Sequence, residues 1–316
     1  MMKFLTILLD DTSVSFCHVD NPYTERKLIP IDILKKGIMY AMKENLSVQI
    51  VYPNYDLPDE YLKVIDSIDH TNIVHSSHSL SADIVVIDEF DKLETYVRQA
   101  DLDSIYVLRY AKKDLFASEA IIREAIKVLN RINIVIKDVE SFSDLDINDY
   151  IKFLDNVAIT VSQEFAKGHN PQINVLTDRL FLENPNHCNA GVENITLSPN
   201  GCFYPCPAFY YDEYSSKGQI LSVGNIDDGL AIKNPQLYKL DFAPICRICD
   251  AYHCRRCVWL NKQLTREINT PSRQQCIIAH LERNAAKTMN IPEVYNISYI
   301  PEIDYLDPFD NLIKNK

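Results

Sequence analysis

The sequence predicts an α/β fold, with strands and helices alternating around a parallel sheet, open or partly closed as a barrel, and a small cysteine-rich region after it. Three observations predict it. Up to residue 182, short apolar β-branched segments alternate with helical stretches of ten to twenty residues. The texture changes near residue 183, where loops and a hairpin pattern take over. Eight of the nine cysteines then fall between positions 188 and 276.

Each element has its own reason. FLTILLDD opens the chain as a short buried strand, and IDILKKGIMYAMKEN has helical spacing through Ile33, Leu34, Ile38 and Met42. VQIVYP is a β-branched strand and PDEYLKVIDSID an amphipathic helix. DHTNIVHSSH, with His70, His75 and His78, reads as a polar loop, because no second ligand group accompanies the histidines. ADIVVIDEF and SIYVLRY are further buried strands, followed by one helix over DLFASEAIIREAIKVLN. RINIVIKDV is a strand and DINDYIKFLDNVAITVSQEFAKG a long helix. ENITLSPNGCFYPC has strand–turn–strand form, with Pro199, Asn200 and Gly201 supplying the turn. After the connector SSKGQILSVGNIDDGL, a helical segment leads into the cysteines of 246–257, and CIIAHLERNAAKTM is a helical tail. The expected division is 1–182 for the α/β domain, 183–287 for the cysteine-rich domain and 288–316 for an acidic tail.

Composition narrows the function. The chain has 316 residues, 47% hydrophobic, which suits a packed core. No apolar run approaches a membrane span, and MMKFLTILLDD lacks the long apolar region and cleavage site of a secretory signal. A cytoplasmic location is expected, where clustered thiols read as metal ligands before disulfides. The net charge is -12, and residues 1–187 hold 19 Lys+Arg against 30 Asp+Glu, a balance of -11. An acidic first half argues against a nucleic-acid surface, which needs a basic stripe. Only seven glycines occur and none builds a phosphate loop.

CRICDAYHCRRC, Cys246 to Cys257, sets two CxxC pairs four residues apart. One zinc held by Cys246, Cys249, Cys254 and Cys257 is the plainer reading, yet zinc knuckles normally keep their ligand pairs twelve or more residues apart. Iron–sulfur proteins place thiolates this densely and split one run between two clusters. Arg247, Arg255, Arg256, Lys262, Arg266 and Arg273 outnumber Asp250 and Glu267 around the run. They either neutralise an anionic cluster or solvate a helix face; both readings stand.

Cys188, twelve residues, Gly201, four residues, Cys206, then CxxCx4CxxC and Cys276 together resemble the SPASM domain. This auxiliary-cluster module follows the partial barrel of many radical S-adenosylmethionine (radical-SAM) peptide-modifying enzymes. Its central run is one residue wider in each of the last two intervals. CPAFYY, PICRICDAYHCRRCVWLN and NTPSRQQC are similar to the CXXX-repeat peptide maturases, a bacterial family associated with ribosomally made peptides. The resemblance implies a partial (β/α) barrel of radical-SAM type with a SPASM lobe, and one or two [4Fe–4S] clusters. It assigns Cys246, Cys249, Cys254 and Cys276 to one cluster and Cys188, Cys206 and Cys257 to the other. Cys202 or His187 completes the second set, or one iron stays open.

A catalytic member of that family carries CxxxCxΦC after its first strand, Φ being aromatic. Here the place reads Cys17, Asn21, Tyr23 and Thr24, so one thiolate and the aromatic remain while an amide and a hydroxyl replace the other ligands. The GGE segment expected after the second strand is YPNYDLP. S-adenosylmethionine is therefore not expected as a cofactor, although Cys17 as simple core filler accounts for the same residues. Phe203, Tyr204, Phe209, Tyr210, Tyr211 and Trp259 are expected to pack the cysteine lobe, and His253 to lie beside a cluster. No nucleophile-elbow pattern marks a hydrolase, and no catalytic residue is assigned.

The expected function is maturation of a cysteine-repeat precursor peptide, beside a separate modification protein, using auxiliary clusters for peptide recognition or electron transfer. A non-radical enzyme at an open iron and a zinc-stabilised binding module are the alternatives.

Overall fold

The computed structural model describes residues 2–89, 92–98, 101–181, 188–215, 220–249, 251, 254 and 256–292. In chain order the elements are β1 (Phe4–Leu8), α1 (Ile31–Glu44), β2 (Ser47–Val51), α2 (Asp59–Ile65), β3 (His70–His75) and β4 (Ile84–Ile87). Then come α3 (Leu93–Arg98), β5 (Ile105–Tyr110), α4 (Lys112–Ala117), α5 (Glu119–Ile126), β6 (Arg131–Ile136), α6 (Asp144–Ala166), β7 (Gln172–Ile173) and α7 (Asp178–Phe181). The rest are β8 (Asn194–Leu197), β9 (Phe203–Tyr204), α8 (Pro207–Ser215), β10 (Gly224–Asn225), β11 (Gly229–Leu230), α9 (Val258–Thr265) and α10 (Arg273–Lys287). The fold class is mixed α/β with mostly parallel strands. No helix among the described residues is long and apolar enough to cross a membrane.

The chain forms two compact units, 1–86 with 188–239 and 87–187 with 240–316. In the first, the strand order is β4-β3-β2-β1-β8-β9, parallel except for the β8–β9 hairpin. β1 is central because Leu5, Ile7 and Leu8 are fully buried, and it pairs Phe4 with Ser47 on one side and with Asn194 on the other. Strands buried on both faces read as continuous apolar runs, which is how FLTIL reads. α1 lies close against this sheet at Gly37, where a Cβ would stand 2.5 Å from Leu197 Cδ2. The β8–β9 turn uses Gly201 at φ +80°, a conformation that favours glycine.

In the second unit, β5, β6 and β7 are parallel, with Ile105 opposite Arg131 and Arg131 opposite Gln172. α6 starts at a capping box in which Ser143 and Asp146 satisfy each other's backbone N–H groups. It buries Tyr150, Phe153, Leu154, Val157, Val161 and Phe165, the 3.6-residue face that makes it a core helix. α10 begins at a second capping box, Ser272 with Gln275.

Three expectations change. DHTNIVHSSH is not a loop: His70–His75 is strand β3, pairing with Val48–Val51 and with β4. Its buried Ile73 and Val74 carry the pairing, and the polar ends hid the period. The single helix expected over 114–130 is instead α4 and α5, divided at Ser118, whose hydroxyl donates to Asp114 O at 2.6 Å. That side-chain bond competes with the backbone ladder. The segment before Cys246 forms short 3-10 turns at Pro235–Tyr238 and Leu240–Phe242 in place of an α-helix. The tail beyond residue 292 and the boundary at 182/183 lie outside the described residues.

Candidate metal centre

The nine cysteines, all among the described residues, form no disulfide with one another. In the second unit, Cys246 opens a 3-10 turn, and Cys249 closes it by donating its N–H to Cys246 O at 3.3 Å. Cys254 N–H donates to Ala251 O at 2.9 Å, and Cys257 caps α9, its Sγ accepting from Leu260 N–H at 3.4 Å. Cys276 lies in the first turn of α10, and one turn on, His280 Nε2 stands 3.2 Å from Cys249 Sγ.

Burial pushes the Cys246 thiol up to about 11 and the Cys254 thiol up to about 12. Arg256 opposes the shift at Cys246, whereas the neighbouring Cys249 adds to it. At Cys254, Cys246 and Glu282 add to it, and Arg179 and Arg256 oppose it. Cys246 therefore lies within electrostatic reach of Cys249, Cys254 and Arg256, and Cys254 within reach of Cys246, Arg256 and Arg179. Among the described residues, no three His, Cys, Asp or Glu side chains already stand around one point as a bound metal ion requires.

The guanidinium groups separate the two readings of the basic residues. Arg247, Arg266 and Arg273 are exposed and solvate the surface, but Arg256 is only 5% exposed and Arg179 only 3%. Arg179 is ion-paired to Glu282, which also accepts a hydrogen bond from the fully buried Tyr150 hydroxyl at 2.9 Å. Soft thiols beside buried cations fit an anionic thiolate-ligated group by donor type and by charge. Sequence reasoning missed Arg179 and Glu282, which lie far from the cysteine run in the chain. Arg255, His253, Asp250 and His187 lie outside the described residues.

In the first unit, Cys188 is exposed, while Cys202 and Cys206 are half-buried. Cys202 sits on the hairpin, its N–H donating to Asn200 Oδ1 at 2.9 Å, and its thiol is raised by burial and by Glu213. Cys206 leads into α8, where Phe209 N–H donates to its carbonyl at 3.1 Å. Phe203, Tyr204, Phe209, Tyr210 and Tyr211 of this unit and Trp259 of the other are buried, as packing residues should be.

The loop after β1 is tied together by Asn21 and by two tyrosines from elsewhere in the unit, Tyr55 and Tyr210. Asn21 Nδ2 donates to Asp11 O at 2.7 Å and to Ser13 O at 2.8 Å, while its Oδ1 accepts from Tyr23 N–H at 2.9 Å. Asp10 accepts from the Thr12 backbone at 2.8 Å and from the Tyr55 hydroxyl at 2.8 Å, and Tyr55 belongs to YPNYDLP. Tyr210 donates to Asp11 at 2.5 Å and stacks on Tyr23 with centroids 4.9 Å apart. Burial raises the Asp11 carboxyl, and the Tyr210 bond partly offsets it. Thr24 is exposed, and Cys17 is half-buried rather than core filler. One thiol, one committed amide and one exposed hydroxyl do not fit a three-thiolate cluster at this loop.

No family model matches the chain, and no curated protein does. Solved structures do. Polyhistidine-tagged anSMEcpe with bound AdoMet aligns with a TM-score of 0.60 at 12% identity, over 90% of this chain and 93% of that one. Native anSMEcpe with bound AdoMet and Kp18Cys peptide gives 0.59 at 13% identity, over 90% and 97%. The form with Cp18Cys peptide gives 0.59 at 14%, over the same shares of 90% and 97%. At such identities the likeness shows the fold alone, and the chain shares the mixed α/β fold of those structures.

Proposed function

We propose that this protein is a peptide-maturation factor that carries auxiliary iron–sulfur clusters and does not generate a radical. The observation that carries the reading is that Cys246 lies in electrostatic reach of both Cys249 and Cys254, with the buried Arg256 acting on Cys246 and Cys254 and the buried Arg179 on Cys254. Cys246, Cys249, Cys254 and Cys276 would hold one [4Fe–4S] cluster. Cys188, Cys206 and Cys257 would hold a second, with Cys202, His187 or an open iron completing it. When bound, such clusters supply one-electron transfer and a Lewis-acidic iron. The chain's own part is to shield the Cys246 and Cys254 thiols and to hold Arg256 and Arg179 where they oppose the thiolate charge.

The radical-generating cluster is left out because Asn21 is committed to the loop backbone and Thr24 faces solvent. The peptide partner is supported by the fold shared with structures that hold peptide. A cysteine-repeat precursor and a separate modification protein are the partners we assign, in a cytoplasmic setting where thiols stay reduced. Functionally, residues 1–182 would form the scaffold, 183–287 the cluster module and 288–316 a tail.

Anaerobic purification with iron, sulfide and zinc analysis tests the reading. Brown protein with acid-labile sulfide is expected, and in that protein Cys249→Ala should expose the second unit to protease far more than Cys17→Ala does. Stoichiometric zinc without sulfide would replace this reading with a zinc-stabilised binding module.

A further inference from the structure

The Cys249–His280 contact joins residues 31 apart in the chain, and none of the cysteine spacing anticipates it. His280 is 1% exposed, so its ring is buried and its position is set by the helix that carries it. That helix is fixed at its start by the Ser272–Gln275 capping box, and it is anchored further along by Glu282, which meets Arg179 and Tyr150. Cys276 and His280 are four residues apart on α10 and therefore share a face. The imidazole thus reaches the sulfur from a well-supported element.

We propose that His280 is a positioning residue for Cys249, its Nε2–H donating to the sulfur and raising the reduction potential of the cluster that Cys249 would hold. The inference rests on the iron–sulfur reading above. A cluster thiolate accepts hydrogen bonds and cannot donate them, so the imidazole must carry its proton on Nε2. Reduction adds negative charge to the cluster and its sulfurs, and an N–H aimed at one sulfur stabilises that state more than the oxidised one. The same bond orients the ligand, as outer-sphere partners do at other metal sites. A purely structural role would change stability and leave the potential alone.

The test uses the full chain, reconstituted anaerobically, as wild type, His280→Leu and His280→Gln. The glutamine amide keeps an N–H donor near the Nε2 position. In His280→Leu, one reduction equilibrium should shift roughly tenfold toward the oxidised form, about 59 mV for one electron, and His280→Gln should recover most of it. A second readout does not depend on any variant folding. Reduced wild-type protein with ¹⁵N-labelled histidine should show a weak ¹⁵N hyperfine coupling to the cluster. Equal potentials in the three proteins, or no ¹⁵N coupling, would overturn the inference while leaving the iron–sulfur reading intact. A coupling as strong as that of a directly bound nitrogen that disappears in His280→Leu would overturn it too, by making His280 a ligand. Wild-type protein that holds no iron and sulfide would remove both.

Discussion

The side-chain amide of Asn21 lies 2.7 Å from the carbonyl oxygen of Asp11, across a ten-residue loop. With its bond to Ser13 O at 2.8 Å and the Tyr23 N–H it accepts, the residue closes the loop that follows β1. An amide suits this task because it has both donors and an acceptor, whereas a thiol is a weak donor.

Asn21→Ala is accordingly expected to destabilise the protein by about 1–3 kcal/mol, the cost of leaving the Asp11 carbonyl without the Asn21 donor and Ser13 O with only the Tyr211 hydroxyl. Thr24→Ala, at an exposed position, should stay within about 0.5 kcal/mol of wild type. Urea midpoints for the two variants decide it. Equal midpoints would mean that the Asn21 bonds contribute nothing net.

Reconstituted protein should not cleave S-adenosylmethionine reductively. Only Cys17 is available as a thiolate in this loop, and amide or hydroxyl oxygens are poor ligands for an iron–sulfur cluster. Anaerobic reduction with excess S-adenosylmethionine, followed by assay for 5′-deoxyadenosine, is the measurement. Multiple turnovers that vanish in Cys17→Ala would show a working radical site.

The Tyr150–Glu282–Arg179 group is buried throughout, its members at 0%, 6% and 3% exposure. Glu282→Leu strips the carboxylate from a buried guanidinium and should cost about 3–5 kcal/mol. Tyr150→Phe removes one neutral-to-charged hydrogen bond and should cost about 1.5–3 kcal/mol. Thermal unfolding of the two variants should rank them in that order, and a stable Glu282→Leu would contradict the buried-pair account.

Asp146 gives the stability a pH dependence. Its bonds to the Ser143 hydroxyl and backbone, then Lys112 at 2.9 Å, hold the carboxyl down at about 2. An unfolded aspartate titrates at about 3.9, so the folded chain releases this proton more readily than the unfolded one. The stabilisation is present above about pH 4 and is lost as pH falls through about 2. The stability gap between wild type and Asp146→Asn should therefore narrow over that window, as read by denaturation at each pH. Ser143→Ala should cost about 1 kcal/mol through the lost cap at any pH above it.

Much of the secondary structure was legible because its causes are local. FLTIL, IYVLRY and RINIVI are apolar runs of strand length, and α6 and α10 repeat their buried residues at helical spacing. The β8–β9 hairpin followed from Pro199, Asn200 and Gly201. β3 was missed because only Ile73 and Val74 of HTNIVH are buried, too few to show a period. The density of thiols was likewise plain in the sequence, and so was the presence of Asn21 and Thr24 in the loop after β1.

What only the tertiary structure decided is which distant groups meet. Register and burial set β1 beside β8, Phe4 opposite Asn194. They also bring Tyr55 and Tyr210 to the two aspartates after β1, and His280 to Cys249. Composition and spacing name the donors of a site, since ligand chemistry belongs to the residue type. Their neighbours are fixed by the packing of whole elements, because a buried polar group has to find its partner wherever the fold places one.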